Sequence, residues 1–249
     1  MKRKYLIIFI IGIAIALAGI TVIVVHLATK ANRKAVYDDI KPTQVETTTE
    51  EETSLTPKVD FNELQELNSD IYAWIEIPDT TISYPVVQGG PHENYYLDHT
   101  IEHDAGFPGA IYTQLINSKS FEDFNTVIYG HELADNSMFT SLHGYMDPEF
   151  FNSHREIKIY TPEKEITYKV FAAITYDDRL ILGYYDNENE YSRKEFLESV
   201  YGNRFMSDNF ADDIEVTEND KIITLSTCIY DLPNNRYLVL AVKTGEESY

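Results

Sequence analysis

The apolar pattern along the chain falls into three regimes. Residues 5–25 carry no charge and are mostly Ile, Leu, Val and Ala. Such a run predicts a bilayer-spanning helix, which needs roughly 20 apolar residues. A cleaved secretory signal has a shorter apolar core of about 7–15 residues, so the run reads as an uncleaved anchor. With its flanks it occupies residues 1–34. Over residues 35–59 the apolar pattern stops, and Val45-Glu-Thr-Thr-Thr-Glu-Glu-Glu-Thr-Ser54 is acidic and Thr-rich. That segment cannot bury enough apolar surface to offset the entropy of ordering, which predicts a disordered stalk.

From residue 60 onward short apolar runs recur between turn signals. Asp60 is placed to N-cap a short helix carrying Phe61, Leu64 and Leu67 on one side. Strand-like stretches follow at 72–77 and 81–87, separated by the turn signal Pro78-Asp79-Thr80. Further stretches lie at 109–112, 126–129, 157–160, 166–176, 222–227 and 237–242. Two helical interruptions are expected at 137–145 and 192–201, the second opening on a capping-box-like Ser-Arg-Lys-Glu and carrying Phe196, Leu197 and Val200. Abundant Tyr, Ile and Phe favour strands. The expectation is a mainly β fold, a closed β-barrel of about eight strands with a few short helices, over residues 60–249.

Charge narrows the partners. The first 34 residues hold six of the 20 basic residues and none of the 41 acidic ones. The remainder has 14 basic against 41 acidic residues, a net of −27. Such a domain has no basic patch for nucleic acid or an anionic membrane surface. The basic flanks of the apolar run, Lys2, Arg3 and Lys4 before it and Lys30, Arg33 and Lys34 after it, are balanced, so they do not set orientation. A single N-terminal anchor followed by a large domain fits a single-pass protein with its amino terminus inside and its domain extracellular.

The chain has one cysteine, Cys228, at the end of the apolar run Ile222-Ile-Thr-Leu-Ser-Thr-Cys228. It cannot form an internal disulfide, which leaves a buried apolar filler, a partner for another chain, or a reactive thiol. Arg236 starts the next strand, which places it beside Cys228 at one sheet edge if the two strands pair antiparallel. His131 also follows a strand. A thiolate is the nucleophilic form of cysteine, a histidine can protonate a leaving amine, and an arginine can donate to an oxyanion. These are the three roles that cysteine-based acyl transfer requires.

Thr224-Leu-Ser-Thr-Cys228 followed by Arg236, with Asn125-Thr-Val-Ile-Tyr-Gly-His131 upstream, resembles a sortase. The wider pattern resembles class B: Trp74-Ile-Glu-Ile-Pro78, Ile82-Ser-Tyr-Pro-Val-Val-Gln88, Tyr95-Tyr-Leu97, Gly109-Ala-Ile-Tyr112 and Ser137-Met-Phe139, with a helix before the cysteine strand. The resemblance implies a membrane-anchored cysteine transpeptidase on the outer face of a Gram-positive bacterium. It implies Cys228 as nucleophile, His131 as general acid/base and Arg236 as oxyanion or carbonyl donor, with no cofactor. Ser226 and Leu97 would line the peptide groove, and Thr227 would place its backbone near the oxyanion. The substrate would be a surface-protein sorting signal cleaved after Thr, and the acceptor a peptidoglycan amine. His92-Glu93-Asn94 stands where class B enzymes often present Asp-Asn, which leaves Asn-Pro-Gln-Thr-Asn-like and Pro-Lys-Thr-Gly-like signals both open.

Other readings remain beside this one. A pilin-polymerising sortase would use the same residues with a different acceptor. A membrane-tethered binding module would keep Cys228 as a structural thiol. His99-Thr-Ile-Glu-His103 matches H-x-x-E-H, but a zinc site needs that motif on a helix, so it reads as two exposed loop histidines. Asp231, beside Pro233, reads as a solvated loop acid. His92, His143 and His154 have no partner visible in the sequence. Glycine-rich phosphate loops are absent.

Overall fold

A computed structural model describes residues 2–40, 57–203 and 205–249. The chain forms two compact units, Met1–Thr43 and Gln44–Tyr249. The first is helix α1, Lys2–Asp39. Among the described residues no helix is long and apolar enough to cross a membrane. The first residues of the expected stalk are helical, as the end of α1. Residues 41–56 of the stalk lie outside the described residues. Its last residues are held rather than free: Val59 is buried, and Lys58 Nζ donates to Glu76 at 2.6 Å.

The second unit is built on strands β1 (Ile71–Glu76), β2 (Ser83–Val87), β3 (Ile111–Thr113), β4 (Asn125–Tyr129), β5 (Glu156–Tyr160), β6 (Lys164–Asp177), β7 (Asn209–Phe210), β8 (Ile222–Cys228) and β9 (Asn235–Ser248). Their order is β5-β1-β2-β3-β4-β8-β9-β6-β7, and pairing of β5 with β6 closes the first eight into a barrel. Closure removes the open strand edges that a sheet would otherwise expose. The expected eight strands are all present. The ninth, β7, is a two-residue spur on Ala172 and Ala173, beyond the part of β6 that pairs with β5. Most neighbours are antiparallel, but β2–β3 and β4–β8 are parallel.

Helix α2 (Phe61–Leu67) is capped as expected: the Asp60 carboxylate accepts from the amides of Asn62 and Glu63. The segment expected as a helix over 137–145 is instead a 3-10 helix, Thr140–Met146, followed by α3 (Pro148–Ser153) with its own Asp147 cap. After β6 come the short α4 (Ile181–Tyr184) and α5 (Glu190–Gly202). Ser192 does not cap α5. The helix starts two residues earlier, because the Asn189 side chain accepts from the Ser192 amide while Ser192 Oγ accepts from the Asp186 amide. Phe196, Leu197 and Val200 of α5 pack on Val127, Ile222, Leu238 and Leu240, burying one face of β4, β8 and β9. Side chains alternate along a strand. Ser226 and Cys228 therefore share the face of Ile222, further along β8 toward the barrel rim.

Candidate active site

Strand register brings the candidate residues together. Cys228 is the direct partner of Arg236, and Arg236 of Tyr176 on the far side of β9. The parallel pairing of β4 with β8 puts Tyr129 opposite Ser226, and the Gly130 amide donates to the Ser226 carbonyl at 3.1 Å. His131 thus leaves β4 at the level where β8 ends in Cys228. An open groove at this rim is lined by Leu97, Tyr112, Tyr129, Gly130, His131, Ser226, Thr227, Cys228 and Arg236. All six residues singled out from the sequence line it.

Gly130 is required here by space. A Cβ on it would fall 2.5 Å from Ile111 Cδ1 and 2.7 Å from the Phe139 ring, so only glycine lets β4 turn into His131 against these neighbours. His131 Nε2 lies 2.7 Å from the Leu97 carbonyl, to which it must donate. In the neutral ring that leaves Nδ1 as the nitrogen that can accept a proton. The exposed Phe107 ring sits against the imidazole at a centroid distance of 4.6 Å. Cys228 is partly exposed, unlike the six fully buried residues before it in β8. Arg236 Nη1 donates to the carbonyls of Pro233 and Asn235 at 3.2 and 2.8 Å. Those two bonds fix the plane of the guanidinium and leave the Nε and Nη2 hydrogens for an oxygen in the groove.

The sequence reading missed the tyrosine wall. Tyr112 and Tyr129 are direct cross-strand partners whose rings stack at 5.4 Å. Burial raises the pKa of both phenols, and Glu93 adds to the effect at each. For Tyr129 the Arg236 charge opposes the rise. Both stay protonated, as neutral hydrogen-bond donors. Tyr129 donates to Gln114 Oε1 at 3.3 Å, and Gln114 Nε2 to Asn94 Oδ1 at 2.9 Å, which ties the wall to the loop carrying Leu97. Both tyrosines end apolar strand runs, as Cys228 does, and that shared position was the available signal.

The remaining candidates separate cleanly. The Ser226 side chain faces the groove with Cys228, whereas alternation turns the Thr227 side chain to the opposite face of β8. Asp231 is exposed. Neither His99 nor His103 lies on a helix: His99 forms an isolated antiparallel bridge with Ala105, and it is not exposed as expected, since its ring stacks on Tyr95 at 3.9 Å and Nδ1 bonds Asp98 and the Tyr95 carbonyl. Among the described residues no group of three or more His, Cys, Asp or Glu is arranged to hold a metal ion.

A rim cysteine beside an arginine and a histidine on adjacent strand ends supplies the three side-chain types that cysteine acyl transfer uses. Residues 75–244 match the Sortase domain family, and the chain belongs to that family of cysteine transpeptidases. Its similarities are to class B. Sortase B of Listeria monocytogenes is 30% identical over 205 residues, covering 79% of this chain and 78% of that protein. The structure of sortase B from B. anthracis is 32% identical with a TM-score of 0.68, covering 88% of this chain and 99% of that one. A Staphylococcus aureus sortase B–substrate complex is 28% identical with a TM-score of 0.64, covering 74% of this chain and 84% of that one.

Proposed function

We propose that this chain is a membrane-anchored sortase that cleaves a surface-protein sorting signal after Thr and transfers the upstream part to a peptidoglycan amine. The observation that carries this reading is that Cys228, His131 and Arg236 line the same groove. Cys228 Sγ forms a bond to the Thr carbonyl carbon, while the free Nε and Nη2 hydrogens of Arg236 hold the oxygen as it gains charge. The C–N bond then breaks, and the leaving amine takes a proton from His131. An acceptor amine attacks the thioester, the C–S bond breaks, and His131 takes up the amine proton. Ser226, Leu97 and the tyrosine wall shape the peptide site, with the Thr227 backbone beside the oxyanion. The substrate-complex relative supports a peptide substrate of this kind. Anchoring is supported by the uncharged run at residues 5–25, all of it within α1, whose described side chains from residue 11 to 25 are exposed. The domain division is then anchor, residues 1–34, stalk, 35–59, and catalytic unit, 60–249.

The test is intact-protein mass spectrometry of the full chain in detergent with a panel of sorting-signal peptides. The expected product is an adduct equal to the peptide through its Thr, absent in Cys228→Ala, and resolved by an added amine. An alkylatable thiol in the folded protein should accompany it. No adduct with any peptide, and a thiol that reacts only on unfolding, would sink the enzyme reading in favour of a structural cysteine.

A further inference from the structure

Outside the triplet, a second histidine reaches the nucleophile. His143, in the 3-10 helix after His131, has Nε2 3.1 Å from the Cys228 carbonyl. A carbonyl only accepts, so the imidazole donates. The same nitrogen lies 3.6 Å from Glu132 Oε1, and Glu132 directly follows His131. The His143 ring stacks on Tyr237 at 5.4 Å and 28°, and Tyr237 is fully buried next to Arg236. The helix bearing His143 is itself tied to His131, because the Phe139 amide donates to the His131 carbonyl at 3.1 Å. His143 is four-fifths buried, so these contacts are largely shielded from water.

We propose that His143 is a positioning residue for transpeptidation: its Nε2 donor fixes the main chain of Cys228 relative to the His131 segment and the Arg236 strand. The proposal rests on Cys228 being the nucleophile. Cys228 is the last residue of β8, where the ladder ends and the chain enters the turn at Ile229. A strand end is held on fewer sides than a strand centre, and small displacements of a reacting atom cost rate steeply. A carbonyl held from a third element restrains that end without touching substrate. The arrangement predicts an effect on turnover and not on peptide affinity, because His143 does not line the groove.

The experiment uses the full chain in detergent and four His143 and Cys228 variants, with kcat and KM for a cleaved signal peptide, single-turnover adduct formation by mass, and thermal unfolding. His143→Phe keeps a ring against Tyr237 and loses the donor. His143→Gln keeps an N–H at similar reach, and His143→Met matches Gln in shape without it. The expected result is kcat lowered about five- to tenfold in the Phe and Met variants, with KM within about twofold, and most of the loss recovered by Gln. Wild-type kcat in a folded Phe or Met variant would overturn the proposal, as would a folded Gln variant no faster than Met. If the Phe variant does not fold, the Gln–Met comparison decides. An adduct that persists in Cys228→Ala would instead sink the nucleophile assignment, whatever the His143 variants do.

Discussion

Gly109→Ala tests whether the Leu97 carbonyl matters to His131. Gly109 has φ +68°, a left-handed conformation that costs an alanine roughly 1 kcal/mol or more. Space adds to this, because a Cβ there would stand 2.6 Å from the Leu97 oxygen and 2.8 Å from the Tyr96 oxygen. An ordinary carbon–oxygen contact is about 3.3 Å, so the Leu97 oxygen must move by roughly 0.7 Å. That oxygen accepts from His131 Nε2 at 2.7 Å. A shift of that size along the bond would stretch it to about 3.4 Å, outside the hydrogen-bonding range. The expected stability loss is about 2–3 kcal/mol in urea unfolding. The expected kcat loss is tenfold or more in peptide cleavage at a temperature where the variant is fully folded, on the order of what a misplaced catalytic group costs. A Gly109→Ala protein with wild-type kcat would refute the link from Gly109 through Leu97 to His131.

Arg236→Lys should lower kcat/KM about 10²-fold in the same assay, since an ammonium cannot hold the Pro233 and Asn235 carbonyls and also present a fork to an oxygen. Asn117→Ala should destabilise by about 2–4 kcal/mol in urea unfolding and leave kcat unchanged, because the buried Asn117 accepts from the Val127 amide and donates to the Asn125 carbonyl, away from the groove. Asp213 beside Arg155 and Lys169, and Glu246 beside Lys164 and Lys243, are each held down to about 2. Depressed carboxyl values contribute stability that is complete above the unfolded-state values of about 4 and is lost as pH falls through about 2. The melting temperature should therefore drop across that window, and Asp213→Asn with Glu246→Gln should flatten the drop. A double variant with an unchanged pH slope would contradict those two assignments.

The barrel was legible where burial is periodic. The core strands carry Ile, Val and Tyr because they are covered, and β8 reads as a strand for six buried residues in a row. The last residues of β9, Thr244 to Ser248, are polar and exposed, so their strand character comes from pairing with β6 and not from composition. β7 exists because part of β6 offers a free edge, which no two-residue sequence can announce. The start of α5 was misplaced because Ser192 and Asn189 are both good caps, and the fold of the preceding turn selects Asn189. For the site, the chemistry of Cys228, His131 and Arg236 pointed to one rim. The Tyr112–Tyr129 wall and His143 did not appear, since their significance lies in contacts made across more than 15 residues of intervening chain.

The parallel seam between β4 and β8 also has a kinetic meaning. It joins Val127 to Thr224, and β9 must then pair with both β8 and β6. Closing a loop of that length is entropically costly, and folds rich in such distant pairings fold slowly. Cys228 and Arg236 stand on the last two strands, so the catalytic rim is assembled only when nearly the whole unit has been delivered, and a partly emerged chain carries His131 before it carries the thiol.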